Sequence, residues 1–139
     1  MRFILSMRKK NLFTIIIVLA IIGWTTNQVF FSNEIGDLAG GFTEVSSYRN
    51  ENNTGPIQRI YAVTVKDTAN AKLIDYGNSK PHSKYGNTKV FFFVSNADVP
   101  PKLFPGETNF EEKYKVGCFA LYEKSAMGNF GLLKNPYRK

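Results

Sequence analysis

The chain opens on its longest apolar run. Between the basic residues Arg8-Lys9-Lys10 and the polar stretch Thr25-Thr26-Asn27-Gln28, the thirteen residues Leu12–Trp24 are apolar apart from Thr14. As a helix this run rises about 20 Å, short of the roughly 30 Å hydrocarbon core of a bilayer. The length fits the hydrophobic part of a secretory signal, with the preceding cations as its n-region. Continued through Phe31 the helix reaches twenty residues, with Asn27 and Gln28 at the membrane edge, where polar side chains are costly. Small residues at the two positions that a signal peptidase reads are poorly supplied, which favours a retained anchor over removal. Residues 1–31 therefore read as a signal or membrane-anchor segment, with membrane contact through residues 12–31. Met7 begins a conventional signal on its own, so translation starts at Met1 or at Met7.

From residue 32 the pattern changes. Residues 32–58 hold Gly36, Gly40, Gly41, Gly55 and Pro56 and a polar cluster, and read as a linker. Leu38, Phe42, Val45 and Tyr48 stand at helical spacing, enough for a short helix within it. Order is expected from Arg59. Tyr61, Val63 and Val65 alternate with Ile60, Ala62 and Thr64 as a strand. A short helix follows, with Asp67 or Thr68 at its start, Ala69, Leu73 and Tyr76 as its buried stripe, and Gly77 at its end. Val90 to Val94 are five apolar residues between polar turns, the mark of a strand buried on both faces. Strand, helix, strand within this length predicts a parallel pair joined by a crossover.

After the proline-rich stretch 96–108, Asn109 to Tyr114 suggest a turn of helix. A long alternating run then places Tyr114, Val116, Cys118, Ala120 and Tyr122 on one side and Phe119 and Leu121 on the other. Ser125 to Asn129 read as a turn, and Phe130 to Lys134 as the returning strand of a hairpin. The prediction for residues 59–139 is a small two-layer α+β domain, with a roughly four-stranded mixed sheet and one short helix. From Ile60 onward the chain carries seven Phe and six Tyr, ample for one hydrophobic core.

Charge changes the picture less than its total suggests. Four of the 18 basic residues precede the apolar run; the remaining 14 stand against 11 acidic ones, so the rest of the chain is only +3. That balance does not point to nucleic acid. The four leading cations, with only Arg49 soon after the run, predict a cytoplasmic N-terminus and an extracytoplasmic domain. The product is a single-pass membrane protein, or a secreted or periplasmic one if the segment is cleaved. A Lys/Asn/Ile-rich composition with a short signal suggests a bacterial cell envelope.

Phe13–Gly23 resembles the N-terminal stretch of type IV pilins and pseudopilins, an Ile/Val/Leu run after Phe-Thr. It lacks the two residues that define them: Leu12 stands where their processing site has Gly, and Ile17 where they carry Glu. The resemblance assigns nothing further.

Candidate chemistry is sparse. His82 and Cys118 are each the single residue of their kind. A nucleophilic site would have to use His82 with Cys118 or with a carboxylate, as in a small secreted enzyme. A mid-strand Cys is more often buried than reactive. One Cys and one His do not supply a zinc site, and calcium, nucleotide and hydrolase motifs are absent, so no metal or cofactor is expected. Aromatic and basic residues interleave at Lys113, Tyr114 and Lys115, and again at Lys134, Tyr137 and Arg138, as a candidate contact surface. The expectation is a non-catalytic domain with a binding or structural role, its partner an envelope protein or polymer.

Overall fold

The computed structural model describes residues 9–30, 38–51 and 53–139. The chain divides into two units, Met1–Glu34 and Ile35–Lys139. In the first, helix α1 runs over Lys9–Phe30. Phe13 and the aliphatic residues Ile15–Leu19, Ile21 and Ile22 are all exposed. No helix among the described residues is long and apolar enough to cross a membrane. Phe31 and residues 32–37 lie outside the described residues.

The second unit is built on a five-stranded mixed sheet, β1 (Phe42–Arg49), β2 (Ile57–Val65), β3 (Gly86–Val94), β4 (Cys118–Lys124) and β5 (Phe130–Lys134), in the order β1-β2-β3-β4-β5. The expected parallel pair is β2 and β3, joined through helix α2 (Leu73–Ser79); the other neighbours are antiparallel. Alternation explains the three consecutive phenylalanines. Phe92 faces α2 with Val63, Val65, Val90, Ala120 and Tyr122, while Phe91 and Phe93 face the other way with Ile60 and Ala62. The second layer is covered by the proline-rich stretch and the residues just after it, with Leu103 and Phe110 buried. Phe110 stands edge-on to both Phe91 and Phe93, at 4.9 and 5.5 Å. Each such fully buried ring contributes about 2–3 kcal/mol. The core is thus two half-cores on either side of β2 and β3.

Several expectations are corrected. The sheet has five strands, because the stretch read as a linker contains β1. Its apolar residues do not form a helical stripe. Phe42 stacks on Tyr76 of α2 at 4.4 Å, and Tyr48 packs against the opposite layer. A bulge at Val45 makes this possible: Glu44 pairs with Val63 but Ser46 with Ala62, so one extra residue reverses the facing. Lys80 ties β1 to the end of α2, its ammonium 2.5 Å from Glu44 and over the rings of Tyr61 and Tyr76 at 4.7 and 4.8 Å. Burial alone would lower the Lys80 pKa, but the hydrogen bonds with Glu44 and Tyr76 outweigh it and hold it above its ordinary value.

α2 begins only at Leu73. Asp67 instead accepts hydrogen bonds from the backbone N–H groups of Ala69 and Asn70, which holds a turn and leaves Ala69 exposed. Gly77 lies inside the helix and not at its end, because the Tyr122 ring packs against its bare Cα. The long run of residues 113–124 is not all strand: Glu112–Gly117 is a 3-10 helix, so Tyr114 and Val116 leave the alternation. In β4, Phe92 pairs with Ala120 but Phe93 with Cys118. Phe119 is a second bulge, and it turns Cys118 to the face opposite Ala120 and Tyr122.

Candidate functional site

His82 and Cys118 are not brought together. His82 Nδ1 lies 3.1 Å from the Thr88 hydroxyl, which fixes the ring against the start of β3. Thr88 shares the parity of Val90 and Phe92 and so belongs to the face covered by α2. Cys118 pairs with Phe93, five residues further along β3, and points to the other face. The separation along the strand is about 16 Å, with the sheet between the two groups. Burial pushes the Cys118 thiol pKa up to about 12, the reverse of what a nucleophile needs. Among the described residues no carboxylate lies within ion-pair distance of His82, and no group of His, Cys, Asp and Glu is placed to hold a metal.

The interleaved aromatic and basic residues divide between two places. Lys113 pairs with Glu111 at 3.0 Å and Lys115 with Glu112 at 2.7 Å, so their charges are answered locally. Tyr114 is half-buried against the Phe110 layer. Tyr137 stands edge-on to Phe110 at 5.9 Å, with Lys115 over its ring at 5.1 Å, and its pKa is pushed up to about 12, chiefly by burial. Arg138 donates its backbone N–H to Asn135 at the chain's last turn. This cluster closes the second layer of the core. Lys134 belongs elsewhere, on the α2 face of β5.

There it lines an open groove. The groove, of about 550 Å³, runs between α2 and the β4–β5 hairpin, a size in the range of ligand sites. Phe119 and Leu132 supply apolar surface from the sheet, and Ile74, exposed on α2, lines the helix side. Lys72, Asp75 and Lys134 add charge, and none of the three is ion-paired among the described residues. On the opposite face a groove of about 420 Å³ follows β5, with Leu121, Glu123, Gly131 and Leu133 in its lining. Among the described residues, no Ser or Thr hydroxyl lining either groove is hydrogen-bonded to Asp75, Glu123 or a lysine. What the two grooves offer is apolar surface and charge.

The sequence marked Lys134 but not the rest of this groove. Ile74, an apolar residue on the outward side of α2, was its one local signal. The bulge that places Phe119 leaves no local signature, and which strand ends the sheet is a tertiary fact. No protein-family model, curated protein or solved structure matches the chain.

Proposed function

We propose that this chain is a non-catalytic binding module of the cell envelope. The α1 segment directs it to the membrane, and the sheet domain engages an envelope protein or surface polymer on the extracytoplasmic side. The observation that carries this reading is the groove between α2 and β5, lined by apolar and charged side chains, on the side of the sheet that ends in the short strand β5. The thirteen-residue apolar run behind a basic cluster supports export, since positive charge is retained on the cytoplasmic side. Local pairing of Lys113 and Lys115 with glutamates supports a partner other than nucleic acid.

The test is protease accessibility of a C-terminally tagged chain in intact cells and in spheroplasts, with the mass of the tagged product read alongside. The expected result is digestion once the outer face of the inner membrane is exposed, with the mass reporting whether the α1 segment is retained. A tag protected until the inner membrane is broken overturns the reading.

A further inference from the structure

The two edges of the sheet are not alike. β1 carries a bulge at Val45 and has Glu44 and Arg49 along it, features that discourage a further strand. β5 has neither a bulge nor a proline, and its only charge is Lys134 at the end. The hydrogen bonds flanking β5 fix which backbone groups it leaves free. Asn135 donates to the Phe119 carbonyl at 2.7 Å, and Ser125 donates to the Asn129 carbonyl at 2.8 Å. In an antiparallel ladder inward and outward groups alternate, so Gly131 and Leu133 bond to β4, and the N–H and C=O groups of Phe130, Leu132 and Lys134 point away from the sheet. Side chains on both faces of this edge are open: Phe130 is 51% and Leu133 57% exposed.

We propose that the free edge of β5 takes up an extended, acidic segment of a partner protein as a sixth strand. This deepens the binding reading above and rests on it. An extended strand matches what the edge offers. Its backbone satisfies the outward groups of residues 130, 132 and 134, and its alternate side chains stand on the two faces, each of which has a groove along β5. Strand spacing places one set beside Leu132 and Lys134, and the other beside Gly131 and Leu133, each about 4.8 Å from its neighbour. The chemistry of the two faces differs. On the α2 side, Lys72 and Lys134, unpaired among the described residues, outnumber Asp75, which selects Asp or Glu in the incoming strand. On the other side Leu121 and Leu133 select apolar residues, since the nearby Glu123 is already paired with Lys89. A second copy of β5 fits less well: pairing centred on Leu132 would set Lys134 opposite Phe130 and bring no carboxylate to the lysines.

The test selects a displayed library of random twelve-residue peptides against the full chain held in detergent, then measures the enriched peptides by titration and amide-resolved hydrogen exchange. Enriched sequences are expected to alternate apolar residues and to carry Asp or Glu. On saturation the amides of Phe130, Leu132 and Lys134, fast in the free protein, should slow. Leu132→Ala trims a groove side chain but keeps the outward N–H, so it should weaken binding less than Leu132→Pro does. Leu132→Pro, which removes an outward N–H but no bond to β4, should weaken it by about tenfold or more. Equal binding to Leu132→Pro, or no slowing at the three amides, overturns the proposal, and the exchange result decides alone if that variant does not fold. Slowing that rises with protein concentration in the absence of peptide makes the occupant a second copy and overturns it as well. Failure to enrich any peptide overturns the strand partner but not the wider binding reading, which a polymer ligand and the protease experiment test separately.

Discussion

Gly77 shows how far a single residue's role depends on what lies beneath it. On helix propensity alone, alanine inside α2 is favoured over glycine by about 1 kcal/mol. A Cβ at this position would instead overlap the Tyr122 ring, which is fully buried and held by its hydroxyl's hydrogen bond to Asn78 Oδ1 at 2.6 Å. Overpacking of this kind costs about 1–3 kcal/mol, so Gly77→Ala should lower stability, as read from the midpoint of urea unfolding at unchanged slope. Cys118 makes a second residue-scale prediction. Its thiol pKa moves from 9.0 to about 12 on burial, so the unfolded chain releases this proton first. The stability tied to the neutral thiol is complete below pH 9 and is lost progressively as pH rises toward 12. Between pH 7 and pH 10 the native protein should lose about 1.4 kcal/mol more than Cys118→Ala does. Equal alkaline losses for the two proteins, in parallel denaturant titrations, would contradict this.

At the scale of elements, β1 is the strand that the local pattern concealed. Its glycine-flanked, polar sequence alternates poorly because the bulge at Val45 interrupts the period of two. Only Phe42 and Tyr48 betray it, and they face opposite layers. The strand nevertheless completes the sheet. It covers the edge of β2, stacks Phe42 on Tyr76, and seats Lys80 between Glu44 and two tyrosines. A chain beginning at Arg59, where the alternation first becomes regular, should therefore lack a cooperative thermal transition and show weak near-UV circular dichroism. A chain beginning at Ile35 should retain both. Equal behaviour of the two truncations would remove β1 from the folding unit. The β4–β5 hairpin is the contrasting case. Gly128 takes a φ of +86° and donates its backbone N–H to Ser125, so Ser125–Asn129 closes as the sequence predicts.

For the molecule as a whole, the two residues with the chemistry for nucleophilic catalysis, His82 and Cys118, lie on opposite faces of one sheet. Packing separates them more decisively than distance in the chain suggests. The double variant His82→Ala, Cys118→Ala should keep partner binding within about threefold, once near-UV circular dichroism shows it is folded. Loss of binding in the folded double variant would return both residues to the active surface. The excess charge is likewise divided: four cations precede the apolar run, while Lys113 and Lys115 are answered by neighbouring glutamates.

Features governed by periodicity and local composition were legible in the chain itself. The Val90–Val94 run required a strand buried on both faces, the short strand–helix–strand unit required a parallel pair, and the polar turn at Ser125–Asn129 required a hairpin. Features that depend on one extra residue or on a distant neighbour were settled only by the packed fold. The bulges at Val45 and Phe119 each reverse the facing of the residues beyond them, Gly77 is set by a ring on β4, and β1 rather than β2 forms the edge opposite β5. A period of two carries no record of where it slips by one, and a strand's own residues do not say whether another strand lies beyond it.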